Sequence, residues 1–377
     1  MSNPETCGPL DGLLVADFSR VLAGPFATMM LADLGARVVK VERPEGGDDT
    51  RTYGPFADGR SLYFARVNRG KESVALNLKD PVDLQVARTL ATRADVVVEN
   101  FRPGVMDRLG LGPTALRQDH PRLVSCSISG FVHWGPWSLR PAYDAVVQGM
   151  SGIMGVTGLE GGQPVKPGVP VADLSAGLYA FGGITSALLG VARHGRGTHV
   201  DVALYDTTVS LLEGAALSYL ATGHDPVAIG NAHFAIAPFD TFACADRDIT
   251  ICAANDTLFA TLLRTLDLPA EPRFATNARR HDNRVALKVE LEAALARHDA
   301  AHWLVELDLA GVPSGPISSV AEALSSPQTA ARNMVVRAGG LPVPGQPIKM
   351  SGYDDPAERL SAPRLDEHGA AIRAEFA

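Results

Sequence analysis

The feature that most constrains this chain is a series of continuous apolar runs that alternate with helical patterns. Residues 12–19, GLLVADFS, precede a helical stretch with a glycine stop, FATMMLADLG, and then a second strand pattern, ARVVKVER. The alternation repeats in SVALNLK, DLQVARTLATR and ADVVVENF, and RLVSCSISGF adds another strand. Runs such as 96–98, VVV, are typical of parallel strands buried on both faces. We therefore predict an open, Rossmann-like parallel α/β sheet with ligands bound at the carboxyl ends of its strands.

The middle and end of the chain have a different pattern. Glycine-rich loops occupy 149–170, a long uncharged helix is predicted from about 174 to 193, and another helix over 204–221. After a connector at 225–240, a strand at DITICA and helices over 257–266 and 284–297 indicate a smaller α/β section. Because 377 residues exceed what one hydrophobic core usually supports, we predict two domains.

Composition and charge exclude several functions. A net charge of -8 argues against a nucleic-acid partner, so an anionic ligand would need a local basic patch. The uncharged segment 174–192 is long enough to cross a membrane, but it is rich in Gly, Ser and Thr, so we expect a helix buried between other elements and no membrane. The N-terminal MSNPETCGPLDG has no basic region before an apolar stretch, so no signal peptide is expected.

The cysteines and the missing motifs narrow the chemistry further. No CxxC pair or Cys/His spacing predicts a metal site, and a reducing, cytoplasmic location fits the four cysteines, which we expect to be small buried hydrophobes: Cys7, Cys126, Cys244 and Cys252. The sequence also lacks GxGxxG, GxxxxGK[ST], HExxH and GxSxG. An enzyme with this sequence must therefore work without a dinucleotide-binding loop, a P-loop, a zinc-protease motif or a nucleophile elbow.

Asp173 is the candidate nucleophile. It stands directly before the predicted long helix, where the simple interpretation is a helix N-cap that accepts hydrogen bonds from free N–H groups. Its apolar, glycine-rich surroundings, VPVAD and LSAGLYAFGG, would partly desolvate the carboxylate and let a bulky substrate approach. With a pKa near the reference of about 3.9 it would be ionised at neutral pH and suited to covalent catalysis.

Three basic residues follow predicted strands. Arg43 ends the second strand, Lys79 ends SVALNLK, and Arg108 follows VENFRPGVMD. Each could be an ordinary surface charge. Their shared position at the carboxyl ends of parallel strands favours a common site for an anion such as the phosphates of CoA.

At these residues the chain resembles the class III CoA-transferases, a family that includes formyl-CoA:oxalate and carnitine CoA-transferases and α-methylacyl-CoA racemase. The resemblance covers nearly the whole chain. It is carried by DFSRVLAGPFATMMLADLGARVVKVERP, GGDDTR, NRGKESVALNLK, ADVVVENFRPG, GPWSLRPAYDAVVQGMSGIMGVTG and AGVPSGP. It implies an interlocked homodimer. It also implies a large CoA-binding domain that begins over 1–205, a linker over 206–240, a small domain over 241–320 and a return to the large domain over 321–377.

The resemblance also assigns roles to residues. Asp173 matches the catalytic aspartate of the family, and Tyr143 an active-site tyrosine that contacts the substrate. The positions that match CoA contacts are Val21, Leu22, Ala23, Arg43, Leu76, Lys79, Asn100, Phe101, Arg102, Arg108 and Arg140. The implied substrates are acyl-CoA and small carboxylic acids, with no metal or redox cofactor.

Two departures bear on the substrate. Leu22 stands where formyl-CoA:oxalate CoA-transferase has Gln, and no run of four glycines is present, while the small domain offers CAAND at 252–256. These differences argue against formyl-CoA. The segments GDDTRTYGPFADGRSLYF, APFDTF with ITICAAND, and PQTAARNM are most similar to the acetyl-CoA:oxalate branch. We therefore expect acetyl-CoA as the donor and oxalate as the acceptor.

Three alternatives remain open from the sequence. The acceptor could be another dicarboxylate or a carnitine-like acid, and a CoA-binding protein without turnover would keep the basic residues without needing Asp173. An α-methylacyl-CoA racemase needs an acid and a base on opposite faces of the α-carbon. The racemases that resemble this chain use a His where this chain has Tyr143, and a phenol with a reference pKa of about 10 is a poor base at neutral pH.

Overall fold

A computed structural model describes residues 8–377. Residues 1–7, which include Cys7 and the start of the segment where we expect no signal peptide, lie outside the described residues. By internal contacts the chain forms two units. The first comprises the residues up to Ile153, Lys166–Ala221 and Ser326–Ala377, and the second comprises Met154–Val165 and Thr222–Ser325.

The elements are numbered in chain order through both units. The strands are β1 Leu14–Asp17, β2 Arg37–Glu42, β3 Phe56–Ala57, β4 Arg60–Ser61, β5 Glu72–Ala75, β6 Val96–Glu99, β7 Val124–Ser129, β8 His199–Ala203, β9 Phe239–Ala243, β10 Asp248–Cys252, β11 Ser314–Pro316, β12 Val335–Ala338, β13 Leu341–Pro344 and β14 Glu358–Arg359. The helices are α1 Ala23–Asp33, α2 Leu62–Asn68, α3 Pro81–Arg93, α4 Val105–Arg108, α5 Pro113–Asp119, α6 Asp144–Met150, α7 Val171–His194, α8 Leu204–Ser210, α9 Glu213–Thr222, α10 Asp256–Thr265, α11 Asn277–Asp282, α12 Arg284–Leu295, α13 Ala300–Leu309, α14 Val320–Leu324, α15 Pro327–Ala331 and α16 Gly369–Phe376.

The first unit is built on a six-stranded parallel sheet in the order β5-β2-β1-β6-β7-β8. Counted along the chain, these six strands have the order 3-2-1-4-5-6 of a dinucleotide-binding sheet. The order reverses between β1 and β6, which pair in parallel register. A crevice for a ligand is expected at the carboxyl ends of these two strands. The predicted mixed α/β fold with a parallel sheet is therefore confirmed.

Some elements differ from those expected. The strand pattern SVALNLK ends early, since β5 stops at Ala75 and Lys79 lies four residues beyond it. The helix expected over 204–221 is broken into α8 and α9 near Glu213, which has a φ of 39°. Neither β8 nor the short helix α2 was predicted. Helix α2 begins where the side chain of Ser61 accepts a hydrogen bond from the Phe64 N–H.

The second unit has its own core beneath a small antiparallel sheet. Strands β9, β10 and β11 form this sheet in the order β11-β10-β9, and helices α10, α12 and α13 pack against it. The fully buried core side chains include Ile249, Ile251, Leu262 and Leu291. Cys244 and Cys252 are half-buried here, whereas Cys126 in the first unit is buried.

The long helix α7 is buried on one face only. It packs against α1, α8, β7 and β8, with Ala172, Ala176, Ala180 and Ile184 at 0% exposure. Its other face carries exposed apolar side chains such as Leu178 and Leu189, so the expectation of a helix buried between other elements holds for one face of α7. By length and composition alone α7 could also cross a membrane, a property that the core helices of soluble proteins share.

Two buried ion pairs lie under the carboxyl ends of β1 and β2. The Lys71 ammonium lies 3.0 Å from the Asp17 carboxylate and also donates to Thr28, Asn68 and the Pro25 carbonyl oxygen. Lys40 pairs with Asp48 at 3.0 Å and donates to the Ser19 carbonyl oxygen. Burial alone would raise the pKa of Asp17, but the two lysines lower it to about 2. Both pairs are thus ionised and almost fully enclosed.

We predict that Lys71→Met lowers the free energy of unfolding by about 3–5 kcal/mol, because it leaves the Asp17 carboxylate buried without its partner. Urea unfolding followed by circular dichroism measures the change. Arg88→Met is the matched control, since Arg88 and Asp119 form an exposed pair at 3.4 Å that should contribute about 0–1 kcal/mol. Equal losses in the two variants would contradict the assigned role of the buried pair.

Candidate active site

Asp173 lies inside the first turn of α7 rather than before it. The helix begins at Val171, and the residue at the cap position is Pro170, which has no side chain able to cap. The prediction that Asp173 is the N-cap is therefore wrong by three positions. At the third position of the helix its half-buried side chain is free from the capping role.

The capping role belongs to Asp144, the first residue of α6. One of its carboxylate oxygens accepts the N–H groups of Ala172 at 2.9 Å and Asp173 at 3.3 Å, and the other accepts from the Gln148 amide at 2.6 Å. The N–H groups of Val171 and Leu174 donate to the Val169 and Pro170 carbonyl oxygens. The first four N–H groups of α7 thus all have partners, and none is left to stabilise an oxyanion.

Burial raises the pKa of the Asp173 carboxyl to about 7, and the negative charge of Asp144 adds to the rise. The guanidinium of Arg66 opposes it. The condition on which full ionisation at neutral pH depended, a pKa near the reference, is therefore not met, since with this pKa about half of the Asp173 side chains are protonated at pH 7. A desolvated carboxylate of this kind is a stronger nucleophile than one in water, because it has lost part of its hydration shell.

Two residues near Asp173 were not predicted, Tyr63 and Arg66 on α2. The Arg66 guanidinium lies over the Tyr63 ring at 4.0 Å from the ring centroid. Tyr63 in turn meets Tyr53 edge to face, with ring centroids 5.6 Å apart. Burial raises the pKa of the Tyr63 hydroxyl, so it stays protonated at neutral pH and can donate a hydrogen bond. The only sequence signal for these residues was a serine followed by a helical pattern, SLYFARVN.

A cavity of about 240 Å³ opens where β1, β2, β5 and β6 end. Four of the predicted CoA contacts line it: Arg43, Leu76, Lys79 and Phe101. Arg43 lies at its mouth and pairs with Asp49 at 2.6 Å. The predicted meeting of basic residues at the strand ends therefore holds for Arg43 and Lys79. Arg102, Arg108 and Arg140 are exposed on other segments and do not line this cavity.

The loop between β1 and α1 is held in a strained shape. Val21 has a φ of 69°, which is rare for a β-branched residue, and its N–H donates to the Asp48 carboxylate. The Asn100 side chain accepts the Arg20 N–H at 2.9 Å and donates to the Arg20 carbonyl oxygen at 2.7 Å. Asn100 therefore joins this loop to the end of β6, at the point where the strand order reverses.

The residues predicted to contact CoA or substrate differ in how much of each side chain is exposed to a ligand. The side chains of Leu22, Ala23 and Leu76 are at most 3% exposed, so a ligand beside Leu22 or Ala23 would meet mainly their backbone atoms. Tyr143 precedes α6 and is 75% exposed. Arg140 lies over the Trp137 ring at 5.6 Å. The roles of all these residues toward CoA or substrate stay predictions.

Helices α7 and α1 meet closely just after Asp173. A side chain at Gly177 would place its first carbon 2.8 Å from the Ala23 carbonyl oxygen, too close for any residue but glycine. The loop 20–23 and the helix that carries Asp173 are therefore in direct contact. Within residues 8–377 no cluster of three His, Cys, Asp or Glu side chains could hold a metal ion.

Comparison with known proteins gives one consistent result. The model of CoA-transferase family III matches residues 10–369. The acetyl-CoA:oxalate CoA-transferase of Acetobacter aceti is 52% identical, over 98% of this chain and 96% of its own. The succinyl-CoA:glutarate CoA-transferase of Mus musculus is 39% identical, over 99% and 88%. The crystal structure of a CAIB/BAIF family protein from Brucella suis is 43% identical, covers 98% of this chain and 100% of its own, and superposes with a TM-score of 0.87.

The family match spans both units, and the relatives share nearly their full length with this chain. The expected resemblance is therefore confirmed, and the chain belongs to CoA-transferase family III, a family of enzymes that transfer CoA.

Proposed function

We propose that this enzyme moves CoA from acetyl-CoA to oxalate, with Asp173 as the covalent nucleophile. The observation that carries the proposal is the half-buried Asp173 carboxylate, freed from helix capping by Asp144 and lying in the unit that also holds the cavity lined by Arg43 and Lys79. The 52% identity to the acetyl-CoA:oxalate CoA-transferase of Acetobacter aceti supports this choice of substrates.

The proposed reaction has four steps. The ionised Asp173 carboxylate attacks the acetyl thioester carbon, giving an acetyl-aspartyl anhydride and CoA thiolate. The thiolate attacks the aspartyl carbonyl, which gives an aspartyl-CoA thioester and releases acetate. An oxalate carboxylate then attacks the thioester, forming an oxalyl-aspartyl anhydride and thiolate again. The thiolate attacks the oxalyl carbonyl, releases oxalyl-CoA and restores the Asp173 carboxylate.

Each step forms an oxyanion that requires hydrogen-bond donors. Because the first four N–H groups of α7 are already engaged, these donors must lie on other segments. The chemistry needs no metal or redox cofactor, and we propose that the enzyme works in the cytoplasm, where acetyl-CoA is available.

The proposal predicts that the protein transfers CoA from acetyl-CoA to oxalate. The assay covers a panel of acyl-CoA donors and small mono- and dicarboxylic acids. Mass spectrometry of protein treated with acetyl-CoA should show CoA attached to the Asp173 peptide. Asp173→Asn should lower turnover by on the order of 10³-fold or more, because its amide cannot form the anhydride.

CoA binding should survive in Asp173→Asn, since the cavity residues are unchanged. If succinate or carnitine accepts CoA while oxalate does not, the substrate assignment is wrong. Near-normal turnover by Asp173→Asn, or an adduct on another residue, would remove Asp173 from the mechanism.

The raised pKa of Asp173 predicts a pH dependence for formation of the thioester. The reactive form is the carboxylate, so the rate should rise with pH through about 7 and level off above about pH 8. Asp144→Asn keeps an oxygen to cap α7 but removes the neighbouring charge, which should move the midpoint to lower pH. The rate of CoA attachment from pH 5.5 to 9 measures both. A wild-type rate that stays constant over this range, as a pKa near the reference value of about 3.9 requires, would contradict the desolvated nucleophile.

We also propose that the enzyme is an interlocked homodimer. Apolar side chains exposed on α7 and α9 support a covering partner: Leu178, Tyr179, Leu189, Leu217 and Leu220 are each more than half exposed. A dimer of this kind should persist at nanomolar concentration, because interlaced chains cannot separate without unfolding. Analytical ultracentrifugation measures this, and a monomer at that concentration would refute it.

A further inference from the structure

Arg66 is a half-buried cation that forms no ion pair within the described residues. Its Nε atom is enclosed and has no hydrogen-bond partner, and within the described part of the chain Arg66 forms no ion pair. An enclosed guanidinium nitrogen without a partner is costly, because it has lost its water and gained no acceptor. The neighbouring arginines differ from it. Arg69 has Asp33 at 3.0 and 2.6 Å, and Arg51 has Glu42 at 2.7 and 2.6 Å.

The position of Arg66 relates it to the nucleophile rather than to the CoA cavity. It belongs to α2, does not line the cavity at the strand ends, and lies close enough to Asp173 to act on its charge. Its guanidinium is fixed in orientation by the Tyr63 ring beneath it. A planar guanidinium held in this way matches a carboxylate through two parallel hydrogen bonds.

A dicarboxylic acid that reacts at Asp173 brings a second carboxylate, which can pair with Arg66. One carboxylate of a dicarboxylic acid must reach the carbonyl carbon of Asp173, and a short dicarboxylate then holds its second carboxylate within a few ångströms of that carbon. Acetate has no second carboxylate to offer. Building on the proposed function, we infer that Arg66 binds the second carboxylate of the acceptor acid and thereby selects short dicarboxylates over monocarboxylates.

The inference gives the two halves of the reaction different requirements. At a pH where Asp173 is fully ionised, formation of the aspartyl-CoA thioester from acetyl-CoA does not need Arg66, because the acetyl group carries no carboxylate. Attack of oxalate on the thioester does use Arg66, because the second carboxylate of oxalate pairs with its guanidinium. An arginine that served only the ionisation of Asp173 would lose its effect at that pH, and one that served an oxyanion common to every step would affect both halves and all acceptors alike.

The test compares Arg66→Met and Arg66→Lys with the wild type, using the full-length protein. Thioester is first formed with acetyl-CoA at about pH 9, well above the pKa of about 7 of Asp173, and KM is then measured at the same pH for oxalate and for propionate, a monocarboxylate probe. In Arg66→Met the KM for oxalate should rise about 10- to 100-fold, the scale of lost hydrogen bonds to a charged group, while that for propionate changes less than about threefold. Arg66→Lys should lie between, since it keeps the charge but not the paired donors.

Two controls keep the result interpretable. Arg88→Met removes an exposed arginine on α3 and should leave both KM values unchanged. The circular dichroism spectra of Arg66→Met and of this control should match that of the wild type, so that a change in KM does not arise from unfolding.

At about pH 9, an equal loss for oxalate and propionate, slowed thioester formation from acetyl-CoA, or no change for oxalate would each overturn the inference. If the wild type itself formed no thioester with acetyl-CoA, the proposed function would fail and the inference with it. That outcome is distinct from a wild type that forms the thioester while Arg66→Met keeps its oxalate preference, which would overturn the role of Arg66 alone.

Discussion

The two buried lysine–carboxylate pairs are the constraint on which the candidate site depends. Lys71 joins Asp17 at the end of β1 to Thr28 on α1 and Asn68 at the end of α2. Lys40 joins the loop after β1 to Asp48, whose carboxylate in turn holds the N–H of Val21 in its strained conformation. Charges buried this deeply are tolerated only when every donor has an acceptor. The two pairs therefore hold β1, α1, α2 and the loop after β1 in fixed positions relative to one another.

This network positions both parts of the site, the helix that carries Asp173 and the loop that borders the cavity. Helix α1 meets α7 at Gly177, one turn beyond Asp173, so the position of α1 determines where the nucleophile lies. Helix α2 carries Arg66 toward the same place. On the other side, the loop held by Lys40 and Asn100 borders the cavity that Arg43 and Lys79 line. Asp173 and the cavity at the strand ends thus share one support beneath the ends of β1 and β2.

Sequence patterns predicted the parts of this design that follow from local periodicity. The apolar runs placed β1, β2, β6 and β7, and with them the location of Arg43 at a strand end. They could not place Asp173 within its turn, because the group that caps α7 is Asp144, 29 residues earlier in the chain. They also missed Arg66, because no spacing rule predicts that the Nε atom of an arginine three residues after a tyrosine will be enclosed without a hydrogen-bond partner. Likewise, the raised pKa of Asp173 arises from burial and a neighbour that only the fold brings together.

The placement of the cavity apart from the nucleophile has a consequence for the order of events. In the proposed cycle the thiolate leaves twice and must return twice. A CoA whose nucleotide end stays in the cavity between Arg43 and Phe101 cannot diffuse away when its sulfur is released, so each return is an intramolecular event. The flexible arm between nucleotide and sulfur then acts as a tether that sets a high local concentration of thiolate around Asp173. Water, by contrast, arrives from bulk solvent, and the tethered sulfur competes with it for every activated intermediate.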